Sequence, residues 1–278
     1  MKINMRNSLN SLGFLSLLFF SAGTEAASSD WVSADFIKVR LVTEDASATS
    51  TKMRGALEIV LEPEWHIYWR MPGDGGLPPE LDWNESKNFK EAKLEWPAPV
   101  RFEYEGLYGF GYKNHALLPL TIETEKAGIA SDIVLQADIM VCRELCIPQS
   151  LDLKMSIPAG ETALEELALI DQAWKALPFK EDRPDIKIES VVLGPKAIVV
   201  QAYLAQGFDQ ADLFVEAGSD LYIVTKPEIN VDTKDPRKAS MIIAAPEGTD
   251  NLAKAIMGKT LTLTLVKGDK ALEKEFSF

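Results

Sequence analysis

The sequence predicts an all-β protein in two parts joined by a short helix, the second part an immunoglobulin-like β-sandwich. Three observations carry this. Between residues 35 and 157 most ordered stretches alternate apolar and polar residues, the period of a half-buried strand. Residues 161–177 depart from that period and repeat at helical spacing. Beyond them, short strand patterns separated by turn signals crowd into residues 186–278, as a small sandwich requires.

Residues 1–26 read as a cleaved secretory signal. Lys2 and Arg6 supply a positive start, Leu12 to Gly23 form a short apolar run, and Thr24-Glu25-Ala26 offers small residues at both cleavage positions. The mature chain is expected to begin near Ala27. The run falls short of the roughly 20 residues that span a bilayer, and no cysteine stands near the cut to carry a lipid. No later segment is long and apolar enough to cross, so the protein is expected not to span the membrane. Its expected location is outside the cytoplasm, periplasmic in a Gram-negative host.

The expected first domain covers residues 27–158. Phe36 to Val42 and Ala56 to Leu61 alternate, and Leu117 to Glu123, Ile133 to Cys142 and Leu151 to Ile157 carry the same signal. Between them, residues 65–99 are dense in Gly, Pro and Trp and read as long structured loops with short strands. Residues 159–183 are expected to be a helical linker. Leu164, Leu167, Ile170 and Trp174 share one face, acidic residues come early, Lys175 comes late and Pro178 follows. Glu181-Asp182-Arg183-Pro184-Asp185 makes a polar boundary. The second domain, 184–278, places strands at Ile186 to Leu193, Ala197 to Leu204, Asp212 to Glu216, Leu221 to Thr225, Ser240 to Ala244 and Leu261 to Val266, with a short helix at Asp250 to Met257. It has no His, no Cys and no evident catalytic cluster, so its expected role is supporting or partner-binding.

Charge narrows the partners. The chain carries −13, and losing Lys2, Arg6 and Glu25 with the leader removes a net +1, leaving −14. Such a balance repels phosphate backbones and anionic head groups, so nucleic acid is not an expected partner. No nucleophile–His–acid arrangement stands out, which argues against classical hydrolase chemistry.

Chemistry is concentrated in the two cysteines, Cys142 and Cys146. A strand runs in to Cys142 and another leaves after Pro148, and three intervening residues suit a hairpin loop, which sets the cysteines face to face. A non-hydrogen-bonded antiparallel pair has Cα atoms about 4.5 Å apart, near the short end of the roughly 4.4–6.8 Å range of disulfides. Closing a handful of residues stabilises a fold by only about 2 kcal/mol, against about 5 kcal/mol for a loop of about a hundred. That tilts the reading from a structural bridge toward a working redox pair. A Cu(I) clamp is a third reading, since two thiolates and Met140 are soft ligands. Nothing in the spacing brings the only imidazoles, His66 and His115, close to them, so neither a metal nor a cofactor is expected.

The segment Pro63 to Pro78, with its Trp65-His66-Ile67-Tyr68-Trp69-Arg70-Met71-Pro72-Gly73-Asp74-Gly75-Gly76 run, is distinctive. It is followed by Trp96-Pro97-Ala98-Pro99-Val100-Arg101-Phe102, then Gly109-Phe110-Gly111-Tyr112, Leu118-Pro119-Leu120 and the cysteine hairpin. In this order and spacing they resemble the N-terminal periplasmic domain of the thiol:disulfide interchange protein DsbD family, in particular its suppressor-of-copper-sensitivity relatives of the ScsB type. The resemblance covers residues 30–157 strongly and the second domain more loosely.

It implies a β-sandwich for the first domain, and so two immunoglobulin-like β-sandwich domains joined by a short helix. It implies that Cys142 and Cys146 are the exchanging pair, with Cys146 the attacking residue. Electrons would come from a membrane-embedded DsbD/ScsB-type reductase or a thioredoxin-like protein and pass to periplasmic disulfide-containing proteins. Relatives of this type are linked to copper tolerance through thiol repair. A cap loop over the cysteines would fall at Tyr104 to Gly109, through Glu105, Leu107 and Tyr108. Leu107 stands where an aromatic residue is expected, which implies a looser cap. Trp65, His66, Tyr68 and Trp69 match an aromatic strand beside the site. His66 and Tyr68 would flank it, at least two of the four would be core, and His66 is expected to be a hydrogen-bonded structural residue. DsbD-type proteins continue into a membrane conduit and a thioredoxin-like domain. This chain ends at Phe278 with neither, so either a separately encoded membrane protein reduces it or it has lost the redox cycle and serves as a binding module. The alternatives are a non-enzymatic adaptor or copper-handling module with a structural disulfide, and a carbohydrate- or protein-binding module using the Trp-rich loops.

Overall fold

A computed structural model describes residues 28–159, 164–218 and 221–278; the expected leader, 1–26, lies outside the described residues. Strands of the first domain are β1 (Val32–Ala34), β2 (Ile37–Thr43), β3 (Lys52–Leu61), β4 (His66–Gly73), β5 (Glu80–Asp82), β6 (Glu91–Leu94), β7 (Val100–Tyr104), β8 (Leu107–Lys113), β9 (His115–Glu123), β10 (Ser131–Cys142) and β11 (Cys146–Ile157). Helix α1 (Leu164–Lys175) follows. The second domain contains β12 (Ile186–Leu193), β13 (Ala197–Leu204), β14 (Ala211–Ala217), β15 (Tyr222–Ile223), β16 (Glu228–Val231), β17 (Lys238–Ala244), α2 (Leu252–Ile256), β18 (Thr260–Lys267) and β19 (Lys270–Ser277).

Each domain is a pair of antiparallel sheets, so the fold is the all-β, two-sandwich architecture the periodicity and the resemblance imply. One sheet of the first domain runs β1-β2-β3-β9-β6; the other runs β11-β10-β4-β8-β7, with β5 beside β10. The second domain pairs β12-β13-β17-β16 with β15-β14-β18-β19. Alternation decides which side chains enter the core. Along β10, Ile133, Leu135, Ala137, Ile139 and Val141 are buried, and Leu151, Leu153, Met155 and Ile157 of β11 complete that wall.

Helix α1 does more than link. It lies on the outer face of the first sheet, where Leu169, Ala173 and Trp174 pack with Ala56 and Leu117. Trp174 Nε1 donates to the Gly55 carbonyl at 3.2 Å. This cover explains why β3 is buried on both faces. Leu164, expected on the apolar face, is instead 85% exposed at the start of the helix.

The domains are docked through side chains of the β4–β8–β7 sheet. Phe214 of β14 belongs to the first domain's core cluster, with its ring centroid 5.0 Å from Phe110 and 5.9 Å from Trp69. Arg70 donates to both oxygens of Glu216, at 2.9 and 2.6 Å, and to Glu273 at 2.6 Å, while Lys180 pairs with the other Glu273 oxygen. Burial alone would raise the Glu273 carboxyl; the Arg70 and Lys180 charges outweigh it and hold the group below its usual range. Among the described residues no helix is long and apolar enough to cross a membrane.

Candidate functional site

Strands β10 and β11 form one hairpin in unbroken register from Ser131↔Ile157 to Cys142↔Cys146. The turn Arg143-Glu144-Leu145 therefore leaves the two cysteines directly opposite, and they are joined as a disulfide with Cα atoms 4.1 Å apart. Side chains alternate along β10. Val141 is the last to enter the core, and Cys142 points to the outer face of the sheet. There it is nonetheless 1% exposed, whereas Cys146 is exposed.

The cover over Cys142 comes from β4 and the β7–β8 hairpin. His66 lies beside Cys142 in the ladder and beside Lys113 of β8. Two residues on, the Tyr68 hydroxyl is 3.7 Å from Cys146 Sγ. A disulfide sulfur carries no hydrogen, so the hydroxyl is the donor. Burial raises the Tyr68 phenol above its usual pKa and keeps that proton in place. The Phe102 ring rests on both, 4.1 Å from the His66 ring and 5.8 Å from that of Tyr68. Two glycines make room. A Cβ at Gly109 would stand 2.0 Å from the Phe102 ring, and one at Gly76 2.1 Å from that of Tyr68.

The stretch expected to form a cap is a tight hairpin tip. Tyr104 pairs with Leu107 across Glu105 and Gly106, whose φ values of 51° and 82° are both positive. That is the signature of a two-residue type I′ turn, whose twist matches the flanking strands. Asp74 ties the hairpin to the end of β4: its N–H donates to the Tyr108 carbonyl at 2.8 Å, and its Oδ2 accepts from the Tyr108 N–H at 2.7 Å.

A cleft of about 120 Å³ results, walled by Cys142, Cys146, His66, Tyr68, Phe102, Tyr104, Leu107 and Tyr108. The structure thus brings together the residues named from the sequence, except that Glu105 sits exposed at the turn and does not line the cleft. Leu107 shares the face of Tyr104 toward the disulfide. Tyr108 lines the cleft and also a groove between the domains, with the Arg101 guanidinium 5.5 Å from its ring.

The expectations for the aromatic strand divide. Trp65, His66, Tyr68 and Trp69 are all buried, but only Trp65 and Trp69 join the core cluster, while His66 and Tyr68 line the cleft. His66, expected to be hydrogen bonded, has a buried Nε2 with no hydrogen-bond partner among the described residues. It is also next to Cys142, which the spacing did not foretell. Its setting of Tyr68 and Phe102 rings offers no acceptor, and burial, with the Lys113 charge, lowers its pKa to about 4. The imidazole is neutral at physiological pH. Met140 lines a separate groove of about 240 Å³ with Leu77, Pro78 and Pro148. Among the described residues no three His, Cys, Asp or Glu are placed to hold a metal. Sequence reasoning missed Phe102 and Asp74 as parts of the site, and took Tyr104 only as the start of the cap loop. All three lie within or beside its quoted motifs, and alternation from Leu107 back across the turn would have pointed to Tyr104 and Phe102.

A disulfide at a hairpin tip on the outer face of an immunoglobulin-like sandwich, half covered by a second hairpin, defines a class of disulfide-bearing β-sandwich module. Residues 34–157 match the family described as thiol:disulfide interchange protein DsbD, N-terminal. Residues 177–277 match a domain of unknown function, DUF8393. The fold is that of the N-terminal periplasmic domain of ScsB from Proteus mirabilis, with a TM-score of 0.70 and 18% identity over 91% of this chain and 98% of that one. A conserved domain protein from Bacillus anthracis aligns over 88% of this chain and 79% of its own, at 10% identity and a TM-score of 0.25, too low to carry a structural argument. No curated protein matches the chain.

Proposed function

We propose that the protein is a periplasmic thiol–disulfide exchange module that relays electrons through Cys142 and Cys146. The observation that carries this reading is the asymmetry of the disulfide: Cys146 is exposed at the cap, while Cys142 is buried beneath it. An incoming thiolate can reach one sulfur only. In the reducing direction, the Cys146 thiolate attacks a target disulfide, forming a mixed disulfide and releasing one target thiolate. The Cys142 thiolate then attacks Cys146 Sγ, closing the Cys142–Cys146 bond and releasing the second. Two electrons and two protons pass to the target. A dithiol of a thioredoxin-like protein or a membrane-embedded DsbD/ScsB-type reductase restores the pair by the reverse sequence at the same exposed sulfur.

His66, Tyr68, Phe102, Tyr104 and Leu107 cover Cys142 and wall the approach to Cys146, and the Tyr68 hydroxyl lies where it would stabilise charge developing on Cys146. The family match and the periplasmic origin of the ScsB fold support this reading. The test is a redox titration of the purified protein, followed by alkylation and mass spectrometry. A midpoint between about −200 and −270 mV is expected of an exchange-active pair. A midpoint well below about −300 mV marks a structural bridge and sinks the proposal.

A further inference from the structure

Strand β7 is the edge of its sheet, bonded to β8 on one side only. Its outer edge lacks the second ladder that holds an interior strand, yet it carries Phe102 and Tyr104, which cover the disulfide. What holds it from the other face is Arg101. This side chain is 7% exposed, and its guanidinium hydrogen bonds run to the second domain. Nε and Nη2 donate to the two oxygens of Asp212 at 2.9 and 3.1 Å, Nη2 also donates to the Leu213 carbonyl at 3.2 Å, and Nη1 donates to the Val224 carbonyl at 2.5 Å. The same group lies against the Phe110, Phe214 and Tyr108 rings, 4.6, 5.1 and 5.5 Å from their centroids. Successive side chains on a strand point to opposite faces. Arg101 and Phe102 are therefore the two ends of one lever: one is fixed to the second domain, the other leans on His66 and Tyr68 above the cysteines.

We propose that Arg101 is a positioning residue through which the second domain holds the β7–β8 cap hairpin closed over Cys142–Cys146. This role, which rests on the exchange reading of the disulfide, gives the DUF8393 domain a function: it sets how readily a thiol reaches the pair. A bidentate fork onto a carboxylate suits the task because it fixes orientation as well as distance.

The test uses the full oxidised chain and the variants Asp212→Asn, which keeps shape and removes the charge, and Arg101→Gln. Two quantities are read: amide hydrogen exchange across residues 102–108, and the rate at which dithiothreitol reduces the disulfide at 25 °C, well below unfolding. Both are expected to rise about tenfold in each variant, the ratio one charge-assisted hydrogen bond contributes to an open–closed equilibrium. Leu107→Ala, which opens the same cap directly, should accelerate reduction to a similar degree. A purely structural role for the pair would lower the melting temperature and leave the reduction rate at 25 °C unchanged. Rates within twofold of the parent in both variants overturn the proposal. A low midpoint potential in the parent protein strikes the exchange reading instead, and the variant-to-parent ratio of rates is still measured.

Discussion

Acidification from pH 7 to pH 4 puts a proton on His66 of the unfolded chain well before it does so in the fold. Burial among aromatic rings, reinforced by Lys113, lowers the folded-state pKa to about 4 from an ordinary 6.5. A group whose pKa is depressed in this sense takes up its proton first when unfolded. Its contribution to stability is therefore complete above pH 6.5 and is lost as pH falls through that value toward 4. The two constants give a loss of about 2 kcal/mol at pH 5 and about 3 kcal/mol at pH 4. The side chain is only 8% exposed, so solvent screening removes little of this. Carboxylates titrate in the same window, which makes the comparison with His66→Phe necessary; any constant packing cost of the substitution cancels between pH values. All six tryptophans lie at or before Trp174, so urea unfolding followed by tryptophan fluorescence reports the first domain. The parent should lose ground to His66→Phe by about 2 kcal/mol between pH 7 and pH 5. A change below about 0.5 kcal/mol would mean that the imidazole takes a proton in the fold as easily as in water, and that the sealed aromatic wall beside Cys142 does not exist.

Reducing the disulfide should leave the protein folded and cost about 2 kcal/mol, the entropy of closing so short a loop; thermal melts with and without a phosphine reductant check this, and unfolding at room temperature on reduction would contradict it. Glu105→Asn places a residue tolerant of positive φ in the I′ turn and should stabilise the first domain by up to about 1 kcal/mol in urea titrations, where a loss would argue against that turn. Phe214→Ala empties the site where the second domain enters the first domain's core, at a cost of about 3–5 kcal/mol. Fluorescence and far-ultraviolet melts that coincide in the parent should separate in this variant, because the tryptophans and the second domain then report different transitions.

Strands that face a core on one side and solvent on the other were legible. β2, β10 and β13 follow the alternation closely. β4 was not, because it is buried on both faces and shows no period to read. Its neighbours β7 and β8 owe their form to glycines that admit the Phe102 ring and the Ile67 backbone, a tertiary reason that no local propensity contains. β19 escaped because its buried Glu273 is held by the charges of Arg70 and Lys180, both far away in sequence. The disulfide and its aromatic flank could be read from a run of motifs within one domain. The Arg101–Asp212 pair spans 111 positions and leaves no local trace.

The placement of the cysteines separates chemistry from stability. The β10–β11 ladder already holds the hairpin along its whole length, and the core takes its last side chain at Val141. The sulfur–sulfur bond is added one residue later, on the other face, where it closes a loop that the ladder had closed. Breaking it removes little that the fold depends on. A structural staple earns its effect by joining segments that are distant along the chain, and this bond joins neighbours. The aromatic wall, the two glycines and the cap hairpin are likewise more than a staple needs. They fit the exchange role proposed above, in which the bond is screened from water and opened by a partner at Cys146. The same sheet serves both ends: Ile67, Trp69 and Phe110 are buried on its inner face, while His66, Tyr68 and Phe102 surround the disulfide on the outer. Because period-two alternation sets those faces on the same strands, a hold on the inner side of β4, β8 and β7 bears on the outer, and the second domain meets the inner side through Phe214 and, by way of Arg101, Asp212.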